Sequence, residues 1–262
     1  MTTGPETLWL QTHIKFTDPQ VAEQLAVCRL RPRLAVAEHL VGWHFIRKGQ
    51  WWRLRYHQDP RATKEADSIL AQVPSIQWQH DIIYEPETHA FGGPEAMDIA
   101  HHLFHDDSCQ VLDHLARTRH QRDSRLEMSL LLLTALMRGA AQDWYEQGDI
   151  WAKITVDRPA TPNEASRLDS AKNMLKPFLM VDTGPDTALV TTGRLSDAAI
   201  WLAAFTTAGR RLQRTAQSGQ LARGLRAVLA HHALFHFNRL GIPHSTQALL
   251  ALGAKEIIFE GR

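Results

Sequence analysis

The hydrophobic period of this chain changes once, and the change falls at Tyr84-Glu85-Pro86-Glu87-Thr88-His89-Ala90-Phe91-Gly92-Gly93-Pro94-Glu95-Ala96-Met97. Before this stretch, short two-residue alternations exchange with helical repeats; after it, the repeat is helical almost throughout. Leu8 to Phe16 alternates apolar and polar residues, as a half-buried strand does. Asp18-Pro19 offers a cap and a first-turn proline for a helix that Arg31-Pro32 interrupts and Leu34 to Val41 resumes. Gly42 to Arg47 and Trp51 to His57 read as a hairpin closed by Lys48-Gly49-Gln50. Pro60 to Val73 then reads as a helix and Ile76 to Tyr84 as a fourth strand. The order β-α-β-β-α-β is that of the ferredoxin-like split unit. Helices are expected over Pro94 to Ala116, Leu126 to Gly148, part of Arg158 to Arg194, Ser196 to Thr215, Leu221 to Leu240 and Ser245 to Glu256. The chain is therefore expected to be α+β. An N-terminal ferredoxin-like antiparallel sheet (1–93) would carry a mainly helical part (94–262), the two forming one compact domain.

With 29 basic and 28 acidic residues there is no global positive field of the kind that grips a long nucleic acid, so no direct nucleic-acid partner is expected. Cys28 and Cys109 are the only cysteines and have no metal-type spacing. Met1-Thr2-Thr3-Gly4-Pro5 lacks the parts of a signal peptide, and the apolar run near Met128 to Met137 is too short to span a bilayer. A cytoplasmic protein without a membrane partner is expected. No phosphate loop or dinucleotide fingerprint occurs, so no cofactor is expected. His101/His105 and His232/His236 lie one helical turn apart but lack a zinc signature, so no metal is expected.

Three constellations carry candidate chemistry. In Tyr84–Met97, Pro94 suits a first helical position, and Gly92 and Gly93 permit a sharp turn whose helix-start N–H groups suit an anion. Glu85 and Glu87 place carboxylates beside it; an ordinary strand-to-helix connection has the same pattern. In Trp51–His57, alternation sets Trp51, Arg53 and Arg55 on one face, with Arg47 nearby as a third cation for a carboxylate or phosphate. A solvated face with surface ion pairs is the alternative. In the helix from Leu221, which reads as the most amphipathic of all, Leu225, Leu229, His232, His236 and Arg239 form a stripe that turns polar near its end. The histidines suit acid–base work or simple packing; Asn238 and Arg239 suit substrate binding or helix-end carbonyls. The three are expected to converge on one pocket, with Tyr84, Glu87, His232 and His236 as proton-transfer candidates. Arg47, Arg53, Arg55, Gly92, Gly93, Asn238 and Arg239 would bind substrate.

Trp9, Gly42-Trp43-His44-Phe45-Ile46-Arg47, Trp52-Arg53-Leu54-Arg55, Phe91-Gly92-Gly93-Pro94-Glu95-Ala96-Met97 with Leu103-Phe104 and Asp107-Ser108, and His231-His232-Ala233-Leu234-Phe235-His236-Phe237-Asn238-Arg239-Leu240 follow one another in an order that resembles the thiopeptide-type bacteriocin biosynthesis domain. This is the C-terminal elimination domain of class I lanthipeptide dehydratases, and the resemblance covers nearly the whole chain, here as a standalone form. It implies a leader-bearing ribosomal precursor peptide as substrate, implies a separate glutamylating enzyme as partner and leaves a homodimer open. One branch of the family removes glutamate from glutamylated serine or threonine. The other, the pyridine synthases, joins two dehydroalanines by a formal [4+2] cycloaddition and expels water and the leader. Elimination-competent members carry an arginine before the aromatic-Gly-Gly and a histidine four residues before Asn-Arg; here Ala90 and Leu234 stand there. The departures favour pyridine formation, with elimination and non-catalytic peptide binding as alternatives. The leader is expected to add a strand to an edge of the N-terminal sheet.

Overall fold

The computed structural model describes residues 9–57, 59, 61–119, 121 and 123–260. Leu8 and Pro60, expected to open a strand and a helix, lie outside the described residues. Four strands, β1 (Trp9–Phe16), β2 (His44–Lys48), β3 (Trp51–His57) and β4 (Ile76–Ile83), pair antiparallel in the order β2-β3-β1-β4, which is the ferredoxin-like arrangement. Helices α1 (Ala22–Leu25), α2 (Arg31–Leu34) and α3 (Ala62–Ala71) belong to this region; a π-helical turn at Ala26–Leu30 joins α1 to α2. The remainder is helical: α4 (Pro94–Thr118), α5 (Arg125–Gly139), α6 (Trp144–Asp157), α7 (Pro162–Ala165), α8 (Leu168–Met180), α9 (Ala188–Thr191), α10 (Ala199–Gln217), α11 (Leu225–Leu240) and α12 (His244–Glu260). The α+β expectation therefore holds. The chain divides into two compact units, Met1–Pro86 with Phe104–Arg122, and Glu87–Leu103 with Asp123–Arg262, so α4 contributes to both.

In the first unit the pleat sorts residues by chemistry. Ile14, Phe16, Trp52, Leu54 and Tyr56 are buried on one face, where Phe45 stacks on Trp52 with centroids 4.8 Å apart. Strand pairing places His13 opposite Arg53, Gln11 opposite Arg55 and Lys15 opposite Trp51 on the other. Partners in register share a face, so Arg47, opposite Trp52, lies with the apolar set and not beside Arg53 and Arg55. Its guanidinium sits 4.2 Å from the Trp52 ring and pairs with Glu23. The expected third cation therefore does not stand beside Arg53 and Arg55 on their face of the sheet. The edge strand β2 is tied to α4, Phe45 N–H donating to Ser108 Oγ at 3.1 Å.

Two local expectations are corrected. The first helix begins at Ala22, because Asp18 accepts from Gln20 N–H at 2.8 Å and closes a turn instead of capping a helix. Helix does not resume from Leu34 to Val41. There the Glu65 carboxylate accepts the N–H groups of Glu38, His39 and Leu40 at 2.9, 2.7 and 3.1 Å, giving the backbone a partner outside any helix. Burial pulls Glu65 upward, but these donors prevail and hold its carboxyl below the usual range.

In the second unit the expected helix from Leu126 to Gly148 is two. Ala141 takes a left-handed backbone (φ 54°), and Asp143 with Glu146 forms a reciprocal capping box that opens α6. Segment α11 is not amphipathic but buried nearly all round, from Val228 to Leu240. It ends on Gly241, whose left-handed φ of 73° turns the chain and lets its N–H reach the carbonyls of Phe237 and Asn238. Helices α5 and α10 approach backbone to backbone at Gly139 and Gly209.

Candidate functional site

The glycine turn is built by its own backbone. Phe91, Gly92 and Gly93 N–H groups donate to the carbonyls of Glu87, His89 and Thr88 at 3.0, 3.1 and 2.9 Å. The two glycine donors are thereby occupied within the turn itself. Their role is conformational: φ is 94° at Gly92 and 111° at Gly93, and a Cβ on Gly92 would lie 2.6 Å from Leu221. The segment before α11 clamps the turn. Ala222 N–H donates to Gly92 O and Arg223 Nη1 to Ala90 O, each at 2.7 Å. Phe91 is fully buried and meets the rings of His231, His232 and Phe235 edge-on, with centroids 4.7, 4.8 and 5.0 Å away.

This clamp brings together a pair that sequence spacing does not show. His231 Nε2 lies 2.8 Å from Glu87 Oε2, with the imidazole 18 % and the carboxylate 55 % exposed. The carboxylate only accepts, so His231 donates through Nε2–H. Among the described residues Nδ1 has no hydrogen-bond partner. The carboxylate thus fixes the ring orientation and tautomer, leaving a reachable lone pair on Nδ1. His232 and His236 are 2 % and 1 % exposed and sit against aromatic rings, His236 with Phe205 at 5.0 Å and Trp201 at 6.0 Å. Arg239 is fully buried, and Asn238 accepts from Gln247 Nε2 at 3.2 Å. Both lie about two turns, roughly 11 Å, along α11 from His231.

On the polar sheet face of the first unit, Arg55 donates from Nε to Gln11 Oε1 at 2.7 Å, and its guanidinium lies 4.2 Å from the Tyr84 ring. Tyr84 and Arg55 are therefore brought together, in an aromatic setting that includes Trp9 at 6.2 Å and His44 at 6.3 Å. Arg53 lies one row further along this face, opposite His13. Arg53 Nε is buried without a hydrogen bond, and no ion pair engages the side chain among the described residues.

Other reactive groups offer less. Burial, reinforced by Asp106, Asp113 and Asp107, pushes the Cys109 thiol up to about 12, so a thiolate nucleophile is absent there at neutral pH. No group of three or more His, Cys, Asp or Glu side chains among the described residues is arranged to hold a metal. Two small cavities of about 90 and 170 Å³, both lined in part by Thr183 and Arg210, contain none of the sequence candidates. No helix among the described residues is long and apolar enough to cross a membrane.

The family model described as lantibiotic biosynthesis dehydratase C-term matches residues 9–256. Among solved structures, the tRNA-dependent lantibiotic dehydratase MibB from Microbispora sp. 107891 matches with a TM-score of 0.61 and 15% identity, covering 97% of this chain. The chain spans 28% of that protein. TsrL matches with a TM-score of 0.63 and 18% identity, covering 96% of each chain. TbtD, a pyridine synthase from thiomuracin biosynthesis, matches with a TM-score of 0.65 and 13% identity, covering 97% of this chain and 99% of that one. At these identities the likeness is one of fold. None of the curated proteins matches by sequence.

Proposed function

The chain belongs to the lantibiotic biosynthesis dehydratase C-terminal family, and on that premise we propose that it is a pyridine-forming macrocyclase of a leader-bearing, dehydroalanine-containing precursor peptide. The observation that carries this reading is the chemistry at two positions. Where the family's elimination branch has an arginine and a histidine, this chain has Ala90 and a buried Leu234. Neither can grip a departing glutamate or remove an α-proton.

In this reaction one dehydroalanine amide passes to its imidic-acid tautomer. His231 Nδ1 takes the amide N–H proton and returns it to the carbonyl oxygen, while Glu87 stabilises the transient imidazolium. The resulting azadiene adds to the second dehydroalanine: one new bond joins the two alkene CH2 carbons and the other joins the imidic-acid carbon to the second α-carbon. The hydroxyl then leaves as water and the leader leaves the second α-carbon as a carboxamide, giving the aromatic ring. Holding both alkenes in contact replaces a costly conformational search, so positioning by Arg53, Arg55 and Tyr84 carries much of the rate. We assign His232 to packing against Phe91 and His236 to packing against Trp201 and Phe205.

One observation favours elimination as a second reading: Arg223 bonds to Ala90 O, setting a guanidinium beside the position from which the family's arginine is missing. Parallel incubations with a bis-dehydroalanine peptide and a glutamylated peptide, each bearing its own leader, separate the two by mass spectrometry. Pyridine formation from the first is the expected result. Glutamate loss from the second alone, abolished by Arg223→Gln, establishes the elimination reading instead. Inertness of the folded protein toward both leaves precursor binding as its role.

We assign leader recognition to the edge of β4, since the opposite edge strand, β2, already donates Phe45 N–H to Ser108. Labelled precursor is expected to bind at least about tenfold more tightly with its leader than without, a difference of about 1.4 kcal/mol. Equal affinities in a fluorescence titration contradict leader recognition.

A further inference from the structure

The polar face of the sheet contains a hydrogen-bond chain whose direction is fixed by chemistry. Arg55 Nε–H can only donate, so the group of Gln11 facing it at 2.7 Å is the carbonyl oxygen. The Gln11 amide nitrogen therefore faces His13, 3.1 Å from its Nε2, and that nitrogen can only donate. It follows that His13 Nε2 is a bare lone pair and that the ring proton sits on Nδ1. Gln11 is 5 % and Arg55 8 % exposed, so water does not readily replace either partner in the chain.

The surroundings oppose a second proton. Burial, then the charges of Arg53 and Arg55, hold His13 below the ordinary histidine value of 6.5. Lys15 lies on the same strand and face, Gln79 opposite on β4, and Trp51 with its ring 5.7 Å away. The side chain is thus a neutral imidazole at neutral pH. Among the described residues its Nδ1–H has no acceptor. Its register partner Arg53 also lacks an acceptor among them. Directly opposed residues on a sheet have Cβ atoms about 5 Å apart, so two unmatched donors stand side by side.

We propose that His13 is a further substrate-contacting residue, its Nδ1–H acting beside the Arg53 guanidinium to bind an amide carbonyl oxygen of the precursor peptide. Gln11 is its positioning residue, setting the tautomer through Arg55. A neutral donor of this kind polarises a carbonyl without surrendering a full proton, which suits a step in which oxygen gains charge or a proton. The contact rests on the peptide-substrate reading above; the tautomer does not.

Nitrogen-15 spectra of the unmodified protein labelled at histidine test the two parts separately. Free protein is expected to show His13 protonated at Nδ1 and bare at Nε2, and Gln11→Leu is expected to mix the tautomers. An Nε2–H signal in the free protein overturns the hydrogen-bond chain. Adding the leader-bearing bis-dehydroalanine peptide is expected to shift the Nδ1–H resonance, whichever reaction the protein performs. An unshifted resonance under saturating peptide overturns the contact. In product assays, asparagine places an amide near Nδ1 and glutamine places one near Nε2. His13→Asn should therefore stay within about tenfold of the parent kcat/KM, and His13→Gln should lose about 10²-fold. The reverse order overturns the assignment.

Discussion

Replacing His231 with glutamine is expected to lower turnover by about 10²–10⁴-fold, the range attached to loss of a positioned general acid–base. Glutamine can still donate to Glu87 but carries no lone pair that exchanges protons near neutrality. Glu87→Gln should also lower turnover, because the amide keeps a polar contact yet neither fixes the tautomer as firmly nor stabilises an imidazolium. Residues that act as one unit are not additive, so the double variant should be about as slow as the slower single variant. Stability should barely move. The pair is 18 % and 55 % exposed, and contacts of that kind contribute at most about 1 kcal/mol. Single-turnover product assays beside thermal melts check both statements. Turnover within a few-fold of the parent in His231→Gln removes the pair from the chemistry, whereas a collapsed melting transition makes its role structural.

The second large effect is on folding. Substituting Gly209 with valine is expected to destabilise the protein by about 3 kcal/mol or more, at or beyond the upper end of what overpacking usually costs. Even the first added carbon would lie 2.1 Å from Leu136 O and 2.8 Å from Ala140 N. Both obstacles are backbone, so no side-chain rotation relieves them. The opposing contact is equally close, since a Cβ on Gly139 would lie 2.4 Å from Thr206 O. Helices α5 and α10 must therefore separate, uncovering Leu132, Leu136, Phe205 and Leu212, which are all buried. A loss of this size corresponds to a midpoint lower by roughly 6–12 °C in a chain of this length. Gly224→Ala, with open space around its Cβ, should change stability by less than about 1 kcal/mol. A Gly209→Val protein that melts with the parent contradicts the backbone-to-backbone packing.

The parts of the fold that were legible in the sequence were those set by local repetition. Alternation in Trp51–His57 placed Arg53 and Arg55 on one face because a strand repeats every two residues. Alternation within β2 alone does not reveal which of its faces meets those arginines; register with Trp52 sets Arg47 on the opposite one. The break between α5 and α6 had a readable signal in Asp143-Trp144-Tyr145-Glu146, a capping box, but the apolar run before it masked the stop. His231 was hidden for a different reason. Its partner is Glu87, 144 residues away, and only the Phe91 turn clamped on α11 joins them. Helical spacing points to His232 and His236 instead, and both are buried. The Gln11–His13 chain was equally unreadable, because its direction comes from Arg55 on another strand.

The measurement that bears most directly on the account is the identity of the leader fragment after incubation with a bis-dehydroalanine precursor. Cyclisation predicts a leader ending in a carboxamide, together with a lighter peptide that has gained a pyridine absorbance. A leader that stays attached, or one released with a carboxylic acid terminus and no new chromophore, contradicts pyridine formation by this chain.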